Sequence, residues 1–99
     1  MIVIRAATVV DVPTIQKLYD ENVPKNVAGL SYKESDWPNY IYPHHVLLLV
    51  AESQQEGKTT VVGFLLGYDL VNWGYVDILV VSRYFRGLGA GSLLLRKFE

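Results

Sequence analysis

Cysteine is absent from the 99 residues, which excludes a disulfide framework, a thiolate metal site and a cysteine nucleophile. Charge of one sign is also lacking: 9 Lys and Arg stand against 10 Asp and Glu, a formal net charge of −1. A general nucleic-acid binder needs a basic footprint, so no nucleic-acid partner is expected and any anion must be met by local geometry. Histidine is limited to the adjacent pair His44 and His45, which point to opposite sides of a strand, so no metal site is expected. No apolar run approaches the ~20 residues of a membrane-spanning helix. Met1-Ile2-Val3-Ile4-Arg5 lacks the charged-then-apolar layout of a signal peptide. The chain therefore reads as soluble and cytoplasmic, with no membrane partner.

Apolar residues make up 51% of the chain, enough for one small domain over residues 1–99. Ile2 to Ala6 reads as a short strand. Thr8 to Asp11 offers capping residues before Pro13, and Ile15, Leu18 and Tyr19 recur at helical spacing toward an end near Pro24. From Lys25 to Pro43 the period is lost, and Tyr32, Trp37, Tyr40 and Tyr42 gather among polar residues and prolines, suggesting loops with one short helical turn. Val46 to Glu52 and Val61 to Tyr68 are apolar runs separated by polar Gln54 to Thr59, a hairpin pattern. Asp69 to Gly74 predicts another turn, and Tyr75 to Val81 a further strand. A final helix should turn Leu93, Leu94, Leu95 and Phe98 inward and Arg96 and Lys97 outward. The order strand, helix, irregular segment, three strands, helix predicts an α+β fold with a mostly antiparallel sheet of about four strands flanked by helices.

Between the last strand and the last helix stands Arg86-Gly87-Leu88-Gly89-Ala90-Gly91. Its glycines allow a tight turn that points unblocked N–H groups outward, and the following helix adds the positive end of its dipole. This combination is a receptor for phosphate. Two other readings stand beside it: a turn whose glycines serve close packing, and a dinucleotide fold. The dinucleotide spacing would need glycine where Ser92 stands, and the flanking strands look antiparallel.

The strand ending Leu79-Val80-Val81, the link Ser82 to Phe85 and the motif Arg86, Gly89, Gly91 resemble the acetyl-CoA-binding motif of the GNAT superfamily of N-acetyltransferases. Ile4-Arg5-Ala6-Ala7 followed by a helix is similar to that family's opening strand and helix. The resemblance implies an α/β sandwich of the acyl-CoA N-acyltransferase type, with acetyl-CoA as cosubstrate and a primary amine, small molecule or peptide, as acceptor. It implies that N–H groups of Gly87, Leu88, Gly89, Ala90, Gly91 and Ser92 hold the diphosphate. Leu79 and Val81 would pair with the pantetheine arm through their backbone, and an N–H near Val80 would polarise the thioester carbonyl. Asp77 would be the base, acting on an amine that must lose a proton. Strand alternation places Tyr75, Asp77, Leu79 and Val81 on one face.

The resemblance further implies an acceptor wall at Tyr32, Trp37, Tyr40 and Tyr42, for which covering the core is the other reading. Glu52 would lie on the surface or reach the cleft. Trp73 would contact substrate or cap the sheet. The family's sheet continues through a fifth strand and a helix carrying a tyrosine acid, so the expected domain is incomplete, truncated before the fifth strand. Neither Tyr75 nor Tyr84 matches that acid. The fourth strand would then be an exposed edge, and a homo-oligomer through that edge is expected. A non-catalytic acyl-CoA-binding module, or a truncated fragment of an acetyltransferase, is the alternative function, and an interaction domain using the open edge is a third.

Overall fold

The structure, a computed structural model, describes residues 1–23, 32–41, 45–70, 73–87 and 89–98. Its elements are β1 (Ile2–Ala6), a 3-10 turn (Val9–Asp11), α1 (Val12–Asn22), a 3-10 segment (Glu34–Tyr40), β2 (Val46–Gln55), β3 (Lys58–Leu70), β4 (Trp73–Val81), a 3-10 turn (Arg83–Phe85) and α2 (Ala90–Phe98). The strands form one sheet in the order β1-β2-β3-β4, each neighbouring pair antiparallel.

Helices cover both faces of this sheet, which explains why β2 and β3 are near-continuous apolar runs rather than alternating ones. Leu48, Val50, Phe64, Leu66 and Val80 pack with Val12, Ile15, Leu18 and Tyr19 of α1 and with Trp37. Leu49, Ala51, Val62 and Leu65 face the other way, onto Ala90 and Leu94 of α2. Each fully buried Leu, Ile or Phe contributes about 1.5–3 kcal/mol. Trp37 is fully buried, edge to face with Phe64 at 5.4 Å.

The strands are longer than the apolar pattern predicts. Gln54↔Thr59 and Gln55↔Lys58 are ladder pairs, so polar residues extend the hairpin and leave Glu56 and Gly57 at its tip. Their φ values of 51° and 74° give the two-residue turn whose twist matches the flanking strands. Asp69↔Gly74 and Leu70↔Trp73 likewise extend β3 and β4 into the stretch predicted as a turn. Of the three consecutive leucines in α2, Leu94 takes the core position and Leu95 is turned out to 37% exposure, because residues 100° apart cannot all face inward. His45 lies just outside β2, while His44 and Tyr42 lie outside the described residues.

Glu52 is neither at a cleft nor on open surface. Its Oε1 lies 3.2 Å from Arg5 Nε and its side chain is 15% exposed. Arg5 also grips Asp11 with two donors, Nη1 to Oδ2 and Nη2 to Oδ1, both at 2.8 Å. The Thr8 N–H donates to the same carboxylate at 2.8 Å. One guanidinium thereby ties β1 to β2 and to the start of α1.

Two ladder irregularities shape the functional face. Ala51 pairs with Gly63 but Glu52 with Val61, leaving Val62 as an extra residue of β3. Leu66 pairs with Ile78 but Gly67 with Val76, leaving Asp77 as the extra residue of β4. Such a bulge reverses which side the following residues face. Val76 and Val81 accordingly both pack toward α2, five positions apart, while Ile78 and Val80 pack toward α1. The expectation that Tyr75, Asp77, Leu79 and Val81 share one face is thus corrected: Asp77 bonds to Tyr32 on the α1 side, whereas Val81 lies on the α2 side.

Candidate active site

The glycine turn links β4 to α2. Gly87 and Gly89 have φ of +87° and +84°, and a Cβ built on either meets nothing within 4 Å. Both glycines are there for backbone conformation rather than close packing. Helix α2 opens at Ala90, with Leu93 N–H donating to Gly89 O at 3.0 Å. The N–H groups of Ala90, Gly91 and Ser92 precede that first bond and have no acceptor within the helix. They line an open hollow together with Val81, Phe85 and Arg86. Leu88, expected among the donors, lies outside the described residues.

Along β4, two contacts fix which backbone groups face outward. Ser82 N–H donates to Val62 O at 2.7 Å, and Val80 O points at Gly63. Backbone direction alternates along a strand, so Val80 turns its N–H and C=O toward β3, while Leu79 and Val81 turn theirs to the open side. The amide expected to polarise a carbonyl near Val80 is therefore committed to the ladder. Leu79 N–H, next but one to the bulge, faces outward instead.

Asp77 receives the Tyr32 hydroxyl on Oδ2 at 2.5 Å. Tyr32 is itself held from several sides. Its ring stacks on Trp37 at 5.0 Å, its N–H donates to the Tyr19 hydroxyl at 3.3 Å and its carbonyl accepts from Gln16 Nε2 at 3.2 Å. Gln16 Oε1 in turn accepts from Trp37 Nε1 at 2.6 Å. Burial, and then the Asp77 carboxylate on its hydroxyl, push the Tyr32 phenol well above the ordinary tyrosine range. At neutral pH Tyr32 is a donor, not a base. Tyr68 is also pushed up, by burial and then by the neighbouring Tyr40 and Asp77, and its ring stacks on Tyr75 at 6.2 Å. Of the expected acceptor wall, Trp37 belongs to the core and Tyr32 and Tyr40 reach the Asp77 end of β4.

A second hollow runs along β4 from Asp77 to Val81 and is bounded by Asn22, Val23 and Arg86. It shares Val81 and Arg86 with the hollow at the glycine turn. Arg86 sits at their junction, Nε donating to Val81 O and Nη2 to Asn22 Oδ1, each at 3.3 Å. Residues that sequence reasoning missed are Asn22, Tyr68 and the role of Tyr32 as the Asp77 partner. Only their distance in the chain hid them, since Tyr32 and Asp77 are 45 positions apart.

Among the described residues, no helix is long and apolar enough to cross a membrane. No curated protein matches the sequence. The chain is similar in structure to the PaiA N-acetyltransferase of Thermoplasma acidophilum in complex with coenzyme A, with TM-score 0.77 and 18% identity over 98% of this chain and 69% of that one. It is similar to the ribosomal-protein-S18-alanine N-acetyltransferase of Escherichia coli, with TM-score 0.70 and 15% identity over 98% of this chain. It spans 56% of the length of that enzyme. A third likeness is to an aminoglycoside acetyltransferase from an uncultured soil metagenomic sample, in complex with sisomicin, with TM-score 0.66 and 19% identity over 97% of this chain and 66% of that one. These likenesses show the acyl-CoA N-acyltransferase fold. The family model described as the acetyltransferase (GNAT) family matches residues 12–99, and the chain belongs to that family.

Proposed function

We propose that this chain transfers an acetyl group from acetyl-CoA to a primary amine, with Asp77 receiving the amine proton. The observation that carries the reading is the pair of adjoining hollows that share Val81 and Arg86, one at the glycine turn and the other reaching Asp77. Both have the required chemistry: unpaired amides at one, a carboxylate at the other.

The N–H groups of Gly87, Gly89, Ala90, Gly91 and Ser92 would hold the diphosphate, each contact charge-assisted and together sparing the need for a lysine-rich pocket. The open backbone of Leu79 and Val81 would receive the pantetheine arm as an added strand, and Leu79 N–H is the outward donor placed to polarise a carbonyl. Acetyl-CoA, as substrate, supplies the thioester: the amine nitrogen bonds to its carbonyl carbon, the carbon–sulfur bond breaks, and the CoA thiolate leaves as the thiol with the proton that the nitrogen sheds on becoming an amide. An alkylamine has a pKa of about 10.4, so at neutral pH its proton must first go elsewhere, and Asp77 takes it through water.

Calorimetry with acetyl-CoA and thiol release with amines test the reading. Saturable binding by the wild type, lost in Gly89→Asp, is expected together with thiol release by a primary amine. Binding without release from any amine would leave an acyl-CoA-binding module.

A further inference from the structure

We infer that Tyr32 is a positioning residue for Asp77, aiming one carboxylate oxygen at the amine by holding the other. The inference rests on Asp77 acting as the base. Asp77 is the extra residue of a bulge, so no cross-strand partner fixes its backbone as a ladder pair would. The Tyr32 hydroxyl supplies that restraint from outside the strand, bonding Oδ2 alone at 2.5 Å. Among the described residues no donor bonds Oδ1, which is left for the incoming nitrogen or its bridging water.

Tyr32 is able to impose a geometry because it does not share in the mobility of a lone side chain. Its main chain is held by Gln16 and Tyr19 of α1 and its ring by Trp37, which is fully buried. The order of contact runs from α1 through the 3-10 segment to the carboxylate on β4. Charged and titratable groups facing the Tyr32 hydroxyl are Asp77, Tyr40 and Tyr68. None is a cation, so among the described residues no ion-pair donor competes for Oδ2. Tyr32 stays protonated throughout the reaction; it moves no proton and its effect is on orientation.

A double-mutant cycle of Tyr32→Phe and Asp77→Asn tests this in the whole chain. Phenylalanine keeps the ring stack and removes only the hydroxyl. Turnover is measured as thiol release from acetyl-CoA with a peptide bearing an N-terminal alanine, with sisomicin and with a polyamine as acceptors. Urea denaturation of the same four proteins gives the stability cycle. Tyr32→Phe is expected to lower kcat roughly tenfold at unchanged acetyl-CoA affinity, and to cause no further loss once Asp77 is Asn. Coupling in stability with none in kcat would reduce Tyr32 to a structural role and overturn the inference. Additive losses in kcat, or an unimpaired Tyr32→Phe, would also overturn it while leaving Asp77 as base. An unimpaired Asp77→Asn would remove the base itself. No turnover with any of the three acceptors would remove the transferase reading, and the positioning role with it.

Discussion

Arg86 lays its guanidinium across the carbonyl of Val81, at 3.3 Å, where the open edge of β4 meets the glycine turn. Any strand-like ligand that bonds to Val81 must displace it. Displacement is cheap, because the bond is long at 3.3 Å and solvent-exposed, so that water replaces it. The freed cation would then lie beside the diphosphate, where a charge-assisted contact contributes about 1.5–3 kcal/mol. The second effect wins, so Arg86→Ala should weaken acetyl-CoA binding by roughly tenfold and reduce its salt dependence. Calorimetry at two ionic strengths decides, and tighter binding by the variant would mean that Arg86 only blocks the edge.

Two of the motif glycines, Gly89 and Gly91, should behave in opposite ways. Gly89 has φ +84° in open space, so Gly89→Ala meets no clash but costs about 1–2 kcal/mol in backbone strain. Gly91 lies inside α2, and its Cβ would sit at an ordinary 3.6 Å from Val81 Cγ2. Gly91→Ala should therefore stabilise the fold by up to about 1 kcal/mol through helix propensity. Urea midpoints that move the same way for both variants would contradict the assignment.

The contrast between those glycines also explains what the sequence makes legible. A φ near +85° strongly favours glycine, so the turn at Gly87 and Gly89 is written locally, as are the apolar runs of β2 and β3, which are covered on both faces. The side on which Asp77 stands is not written locally. One extra residue opposite the Leu66/Gly67 step reverses the alternation, and neither Asp77 nor its neighbours carry a mark that says so. That single insertion moved Asp77 to the α1 face. Tyr32, Trp37 and Tyr40 were visible as an aromatic group, yet their division between core and site depends on what lies across the sheet from them.

Gly67 and Gly74 share another constraint, because the Phe98 ring lies against both. A Cβ on Gly74 would come to 2.9 Å from the ring, and one on Gly67 would collide with it. Gly67→Ala should destabilise the chain by about 1–3 kcal/mol through overpacking. Phe98→Leu in the same chain should recover part of that loss, since it shortens the side chain that collides. Equal losses with and without Phe98→Leu, read from denaturant midpoints, would show that the ring is not the obstacle.

Acid should weaken the Arg5–Asp11 pair. Hydrogen bonds from Arg5 hold the Asp11 carboxyl below the ordinary carboxylate range, against the opposing effect of its burial. A group with a lowered folded pKa contributes stability that is fully present above its unfolded value, about 3.9. That contribution is lost as pH falls from there through the lowered folded value. Asp11→Asn keeps the shape but breaks the two-pronged pair, and should cost about 2 kcal/mol at pH 7, the scale of a hydrogen bond to a charged group. Half-exposed Arg5 can turn to water or to Glu52, at 3.2 Å, which keeps the cost below that of stranding a fully buried charge. The variant should therefore show a shallower stability loss between about pH 4 and the acid limit than the wild type. Urea unfolding at pH 7 and along that acid range measures both effects, and parallel acid limbs for the two proteins would place the acid-sensitive carboxylate elsewhere.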